Sequence, residues 1–104
     1  MSEAAMYETD SRAGIFVIIN EKTKRLFYVG ADQLNDAIKE HTRFLSQGLH
    51  ENKELQNDYD SQEGNGFIIK TIIEQTDMNS VRQILHTLLN LDDTKYNIEN
   101  YKAV

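Results

Sequence analysis

Two apolar runs flank a short charged segment near the start of the chain. The runs cover residues 15–19 and 26–29, and residues 20–25 between them are polar or charged. β-Branched and aromatic runs on either side of a charged turn predict a β-hairpin, with strands at 14–20 and 25–30. The first run is apolar on both faces, so we expect it in the middle of a sheet that has helices packed against it.

After the hairpin the apolar residues follow a helical period. Positions three and four residues apart form one stripe, which predicts a helix: Leu34, Ala37, Ile38, His41, Phe44 and Leu45. We expect Asp32 to cap its start and Gly48 to end it in the left-handed conformation, with Leu49 folding back on Phe44. The helix is therefore predicted to stop at residue 48.

Three more elements are predicted further along the chain. Leu55 and Tyr59, four residues apart, indicate a short second helix, and the apolar run at 67–73 predicts a third strand. Apolar residues at helical spacing from Val81 to Leu89 predict a last helix, with two candidates for its N-cap: Asp77 and Asn79. The pattern therefore suggests an α+β fold, in which residues 1–12 are a flexible tail and residues 13–104 a single domain.

Composition and charge narrow the possible classes of function. The chain has 104 residues, no cysteine and a formal net charge of −6. This charge argues against a large surface for nucleic-acid phosphates, and the lack of cysteine excludes disulfides and thiolate metal sites. No apolar run approaches the roughly 20 residues of a membrane span, and the first residues do not resemble a signal peptide. We therefore expect a soluble, cytoplasmic protein.

Two charged patches are candidate binding surfaces. Lys24 and Arg25 belong to the clearest positive stretch, which is too small for the roughly 6–10 phosphate contacts that give strong DNA binding. Residues 51–65 carry five acids against one base. Glu54 and Asp58 are the members we expect to meet a protein partner with a basic surface. The alternative is that these acids only keep a small domain soluble.

The order of several short motifs resembles the GIY-YIG nuclease superfamily. His41 and His50 are nine residues apart, and the remaining motifs are, in order, GIF at 14–16, YVG at 28–30, LNDAIKEH at 34–41, QGLHENKELQNDY at 47–59 and YNI at 96–98. The resemblance implies a small α+β domain with a three-stranded antiparallel sheet and flanking helices. This fold agrees with the hydrophobic pattern.

The resemblance also implies a division of catalytic labour. In the superfamily a tyrosine helps to activate the attacking water, and an arginine on the first helix holds the scissile phosphate. A glutamate on a later helix binds a divalent metal, and a late asparagine supports the site. Tyr28, His41 and Asn97 stand at matching positions and are candidate catalytic remnants, while His50 is a candidate binding residue.

Three positions that the resemblance assigns to this chemistry hold other residues. Phe16 stands at the first tyrosine, Ala37 stands at the arginine, and no carboxylate occurs from Val81 to Leu91, where the glutamate is expected. We therefore predict a catalytically degenerate nuclease-like domain that acts as a binding or regulatory module. Because the chain is acidic, a protein partner is favoured over nucleic acid. No cofactor and no metal ligand are predicted.

An enzymatic alternative stays open for the same residues. A divergent phosphodiesterase acting on nucleic acid would use Tyr28, His41 or His50 with a magnesium or manganese ion held by other residues. Each candidate also has a purely structural explanation. His41 would be a hydrogen-bonded core histidine, Tyr28 a core aromatic, and Asn97 the side chain that holds a turn.

Overall fold

The predicted hairpin forms the centre of the sheet. The computed structural model describes residues 12–75, 77–89 and 99–101. Its strands are β1 (Ala13–Asn20), β2 (Arg25–Ala31), β3 (Phe67–Gln75) and β4 (Glu99–Asn100). β1 pairs antiparallel with β2 and β3, and β4 lies parallel to the start of β2, so the order is β3-β1-β2-β4. The three-stranded antiparallel sheet is confirmed, and the two-residue β4 is an addition at its β2 edge.

Helices cover both faces of this sheet, as the two-faced apolar run of β1 predicts. They are α1 (Leu34–Gln47), α2 (Lys53–Ser61) and α3 (Met78–Leu89). One face carries Phe16 and packs against α1 and α2, whereas the other carries Ile15 and packs against α3. Alternate residues of a strand point to opposite faces, so neighbouring residues of β1 serve two different cores.

Each face of the sheet has its own hydrophobic core. The α1-side core consists of Phe16, Ile18, Phe27, Leu34, Leu45, Leu55 and Tyr101. The α3-side core consists of Ala13, Ile15 and Val81, with Tyr28, Ile73, Met78, Ile84, Leu85 and Leu88 packed against it. Since the sheet separates the two cores, a residue in one does not reach a residue in the other.

The C-terminal end of α1 follows the prediction. Gly48 has a φ of 76°, and its amide donates to the Leu45 carbonyl. The Leu49 amide donates to the Phe44 carbonyl at 2.8 Å, which completes a Schellman motif. The Leu49 side chain nevertheless remains 64% exposed. The turn after α1 therefore presents an apolar side chain to solvent.

The two N-cap predictions have different outcomes. Asp32 as the cap of α1 is wrong: Gln33 holds that position, and no side chain caps the helix. The Leu34 amide donates instead to the Arg12 carbonyl at 2.8 Å, so a long-range backbone contact replaces the cap. Asp77 is confirmed at α3, where its Oδ1 accepts from the amide three residues later at 2.8 Å.

Some expectations concern residues outside the described part of the chain. Most of the expected N-terminal tail, residues 1–11, lies there, and so does Asn97. Among the described helices, none has the length and apolar character required to cross a membrane.

Candidate functional site

The register of the hairpin places the predicted catalytic residues on different faces of the sheet. Phe16 pairs with Val29, the neighbour of Tyr28, so Phe16 and Tyr28 point to opposite sides. Tyr28 packs against the α3-side core. The His41 ring meets the Phe16 ring edge-on, with 5.5 Å between centroids, on the α1 side. Tyr28 and His41 therefore do not converge on one site, and Asn97 is outside the described residues.

His41 and His50 form a direct pair on the α1 side. Their Nδ1 and Nε2 atoms are 2.8 Å apart, and the Asn52 amide donates to the Nδ1 of His50 at 3.0 Å. An accepting Nδ1 requires the proton of a neutral His50 to lie on its Nε2, which then donates to His41. The proton of a neutral His41 is therefore on its own Nε2. The nine-residue spacing of His41 and His50 in the sequence therefore corresponds to a direct contact in the fold.

Buried polar side chains hold the loop that carries His50. The His50 amide donates to the Oε1 of Gln56 at 2.9 Å, and His50 is only 3% exposed. The Nε2 of Gln56 donates to the Leu45 carbonyl at 3.1 Å, and Asn52 caps α2 by accepting from the Leu55 amide. These bonds satisfy backbone groups between α1 and α2, which fixes the position of the imidazole.

Burial keeps both imidazoles neutral near pH 7. Desolvation lowers the pKa of His41, and the nearby carboxylates of Glu51 and Glu40 offset this only in part. Desolvation also lowers the pKa of His50, the neighbouring His41 lowers that pKa further, and Glu51 opposes the change. A neutral pair offers no positive charge to a phosphate.

We expect acid to destabilise the fold through this pair. Histidine in the unfolded chain titrates near 6.5, above the lowered pKa values of the fold, so the unfolded state binds more protons below that pH. The free energy of unfolding should therefore be greatest above pH about 6.5 and fall as the pH drops toward about 5. Urea unfolding at a series of pH values measures this.

A matched comparison assigns the effect to these two residues. Compared with the unchanged protein, His41→Gln/His50→Gln should flatten the pH dependence. An equally steep dependence in the double variant would contradict the assignment.

A pocket of about 140 Å³ opens beside the histidine pair. We call it the histidine pocket, and its lining residues are Glu40, His41, Phe44, Leu49, His50 and Glu51. Its charged groups are two carboxylates, and no lysine or arginine of the described chain lines it. The Arg43 guanidinium lies over the Phe44 ring, 5.1 Å from its centroid, without being part of the lining. The pocket is therefore a poor place for an anion.

Three of the predicted binding residues meet in an internal cluster at the start of β2. Arg25 forms ion pairs with Glu54 at 2.8 Å and with Asp58 at 3.4 Å. Its guanidinium also stacks on Tyr101, 4.0 Å from the ring centroid, and its side chain is 15% exposed. Arg25, which the sequence suggests as a binding residue, is therefore held in ion pairs within the chain. Lys24 remains exposed in the turn, with a φ of 65°.

The Arg25 cluster continues into the end of β1. The Tyr101 hydroxyl donates to Asp58 at 2.8 Å and accepts from the Nδ2 of Asn20 at 3.0 Å. Burial raises the pKa of Tyr101, so its hydroxyl keeps the proton that it donates. Asn20 is fully buried and also accepts from the Lys22 amide in the turn. These contacts join the hairpin, α2 and the residue after β4.

Among the described residues, no group of three or more histidines and carboxylates is placed to hold a metal ion. Two elements to which the resemblance assigns phosphate and metal binding likewise lack the expected side chains. Ala37 packs against the α1-side core, and α3 contains no aspartate or glutamate.

Two solved structures are similar to this chain over most of its length. The catalytic domain of homing endonuclease I-TevI superposes with a TM-score of 0.71 and 22% identity, over 88% of this chain and all of that domain. A mutant of the catalytic domain of intron endonuclease I-TevI gives 0.69 and 20%, over 89% of this chain and 96% of the other. The chain has the GIY-YIG nuclease fold. No family model matches it, and the search of curated proteins finds no significant match.

Within the GIY-YIG fold, two kinds of residue were not predicted from the sequence. Tyr101 was overlooked because its segment shows no hydrophobic period, and its partners are distant in sequence. Glu40 and Glu51 were not assigned to a site, although each is adjacent in the chain to one of the paired histidines. Acidic neighbours on both histidines are a signal that sequence alone provides.

Proposed function

We propose that this GIY-YIG-fold domain is a catalytically degenerate binding module whose partner is a protein with a basic surface. The observation that carries the proposal is the separation of Tyr28 from His41 by the sheet. A hydrolytic site requires its base, its phosphate-binding cation and its metal ligand around one substrate position. Among the described residues, Tyr28 and His41 do not face one position.

The electrostatics of the α1 side support the same proposal. The histidine pair is neutral, and the adjoining pocket contributes Glu40 and Glu51. Ala37 supplies no guanidinium at the position where the superfamily has an arginine. A phosphodiester group would meet two carboxylates there, and no lysine or arginine of the described chain lines the pocket to stabilise the charge of its transition state.

The charge distribution favours a protein over DNA as the partner. With Arg25 held in ion pairs, the hairpin turn presents Lys22 and Lys24 as its exposed cations. Two such side chains neutralise few phosphates, so generic duplex binding would be weak at physiological salt. A net charge of −6 instead steers the domain toward positive surfaces.

One observation favours the alternative, a divergent metal-dependent phosphodiesterase. The imidazoles of His41 and His50 are in direct contact at 2.8 Å, so the α1 side holds a histidine that a second histidine orients, as a general base requires. In that alternative, His41 would act as the base through its Nδ1 once His50 no longer donates to that atom, and magnesium or manganese would be held by other residues.

A nicking assay separates the two functions. With supercoiled plasmid and magnesium or manganese, we expect nicking at least about 1,000-fold slower than by the I-TevI catalytic domain, because one lost transition-state contact already costs that much. Conversion to open circles on agarose gels gives the rate. Metal-dependent nicking that is lost in His41→Ala but kept in Glu63→Gln would replace the binding module with the phosphodiesterase.

A further inference from the structure

The histidine pocket combines an apolar wall with the negative charge of two carboxylates. Phe44 and the 64% exposed Leu49 form the wall. Glu40 and Glu51 are both exposed, and among the described residues neither forms an ion pair. An apolar wall beside two carboxylates is complementary to a side chain that has an aliphatic stem and a cationic end.

Two other acids of this region differ from Glu40 and Glu51. Glu54 and Asp58 are already paired with Arg25, so their charge is largely compensated within the chain. A basic partner gains less from meeting carboxylates that have a guanidinium beside them than from meeting Glu40 and Glu51. We therefore expect a basic partner to contact the histidine pocket rather than Glu54 and Asp58.

We propose that the histidine pocket receives one lysine or arginine side chain of a protein partner. The inference rests on the proposed binding function and names the contact that such a partner would make. The aliphatic stem of the basic side chain would lie on Phe44 and Leu49, and its cationic end would lie between Glu40 and Glu51.

The size and chemistry of the pocket agree with this occupant. About 140 Å³ is below the roughly 300 Å³ at which ligand pockets begin, so a single side chain suits it better than a whole cofactor. The bond from the Asn52 amide fixes the tautomers of the histidine pair, which adds no positive charge to repel a cation. An anionic side chain would be repelled by both carboxylates.

Two small probes test the charge requirement directly. N-acetyl-arginine amide and N-acetyl-citrulline amide have nearly the same shape, but only the first is cationic. In titrations followed by ¹H–¹⁵N NMR, we expect the arginine probe to shift the amides of Glu40, Phe44, Leu49 and Glu51. The citrulline probe should bind about tenfold more weakly, because it lacks the Coulombic attraction.

Two matched variants locate the binding site. Glu40→Gln/Glu51→Gln should weaken the arginine probe about tenfold, whereas Glu21→Gln/Glu63→Gln removes the same charge from exposed positions outside the pocket and should keep the affinity. Dispersed spectra of both variants establish that each is folded.

The outcomes separate this inference from the proposed function. Equal binding of both probes, equal weakening in both variants, or no shift at the pocket amides would overturn the pocket assignment. The nicking assay on the same preparation decides the proposed function independently. If the protein neither nicks DNA nor binds the arginine probe, the proposed binding function stands and the assignment of the pocket is wrong.

Discussion

Replacing Tyr101 with alanine is expected to lower the free energy of unfolding by about 3–5 kcal/mol, the range for truncating a large buried aromatic side chain. Tyr101 is 3% exposed and belongs to the α1-side core. Its hydroxyl bonds to Asp58 and Asn20, and its ring lies under the Arg25 guanidinium. The change removes the packing, the hydrogen bonds and the stacking together.

Tyr101→Phe is the matched control because it removes only the hydroxyl. Asn20 keeps its bond to Gln62, and Asp58 keeps its ion pair with Arg25, so the loss should be about 1–2 kcal/mol. Urea unfolding at pH 7 measures both variants. An alanine variant that loses no more than the phenylalanine variant would mean that the ring contributes nothing, which contradicts its place in the core.

The contacts of Tyr101 illustrate what the sequence could not predict. Asn20 and Tyr101 are 81 positions apart in the chain, and no local period or spacing relates them. The elements that were predicted, such as the hairpin, the Gly48 end of α1 and the Asp77 cap, depend on residues within a few positions of one another. The Asp32 cap failed because a distant carbonyl, that of Arg12, satisfies the helix amide.

Some features of the candidate site could also be predicted from the sequence, and others could not. The spacing of His41 and His50 was visible in the sequence, and their contact follows from the turn after α1. The face on which Tyr28 lies depends on the register of the hairpin, and register is determined by the conformation of the turn at residues 21–24. A turn containing a non-glycine residue at positive φ, Lys24, is not predictable from composition.

The glycines of GIF and YVG have packing explanations that do not involve catalysis. A Cβ on Gly14 would collide with the Ile73 carbonyl oxygen of the neighbouring strand. A Cβ on Gly30 would lie 3.0 Å from the Leu85 Cδ2 and 3.1 Å from the Val81 Cγ1, where α3 crosses the sheet. Both glycines therefore allow a neighbouring element to approach the hairpin closely.

Gly14→Ala is accordingly expected to destabilise the domain by about 2–3 kcal/mol and Gly30→Ala by about 1 kcal/mol, within the range for overpacked sites. The backbone of β3 cannot move away from Gly14 without breaking the β1–β3 pairing, whereas the ends of the Leu85 and Val81 side chains can shift. Urea unfolding of the two variants gives the order directly.

A larger loss in Gly30→Ala than in Gly14→Ala would contradict this explanation. The expected order would mean that the glycines of both tripeptides are accounted for by strand pairing and helix packing. The GIY-YIG signature would then persist in this chain as a requirement of the fold, which is compatible with Phe16 and Ala37 at the positions where the resemblance places a tyrosine and an arginine.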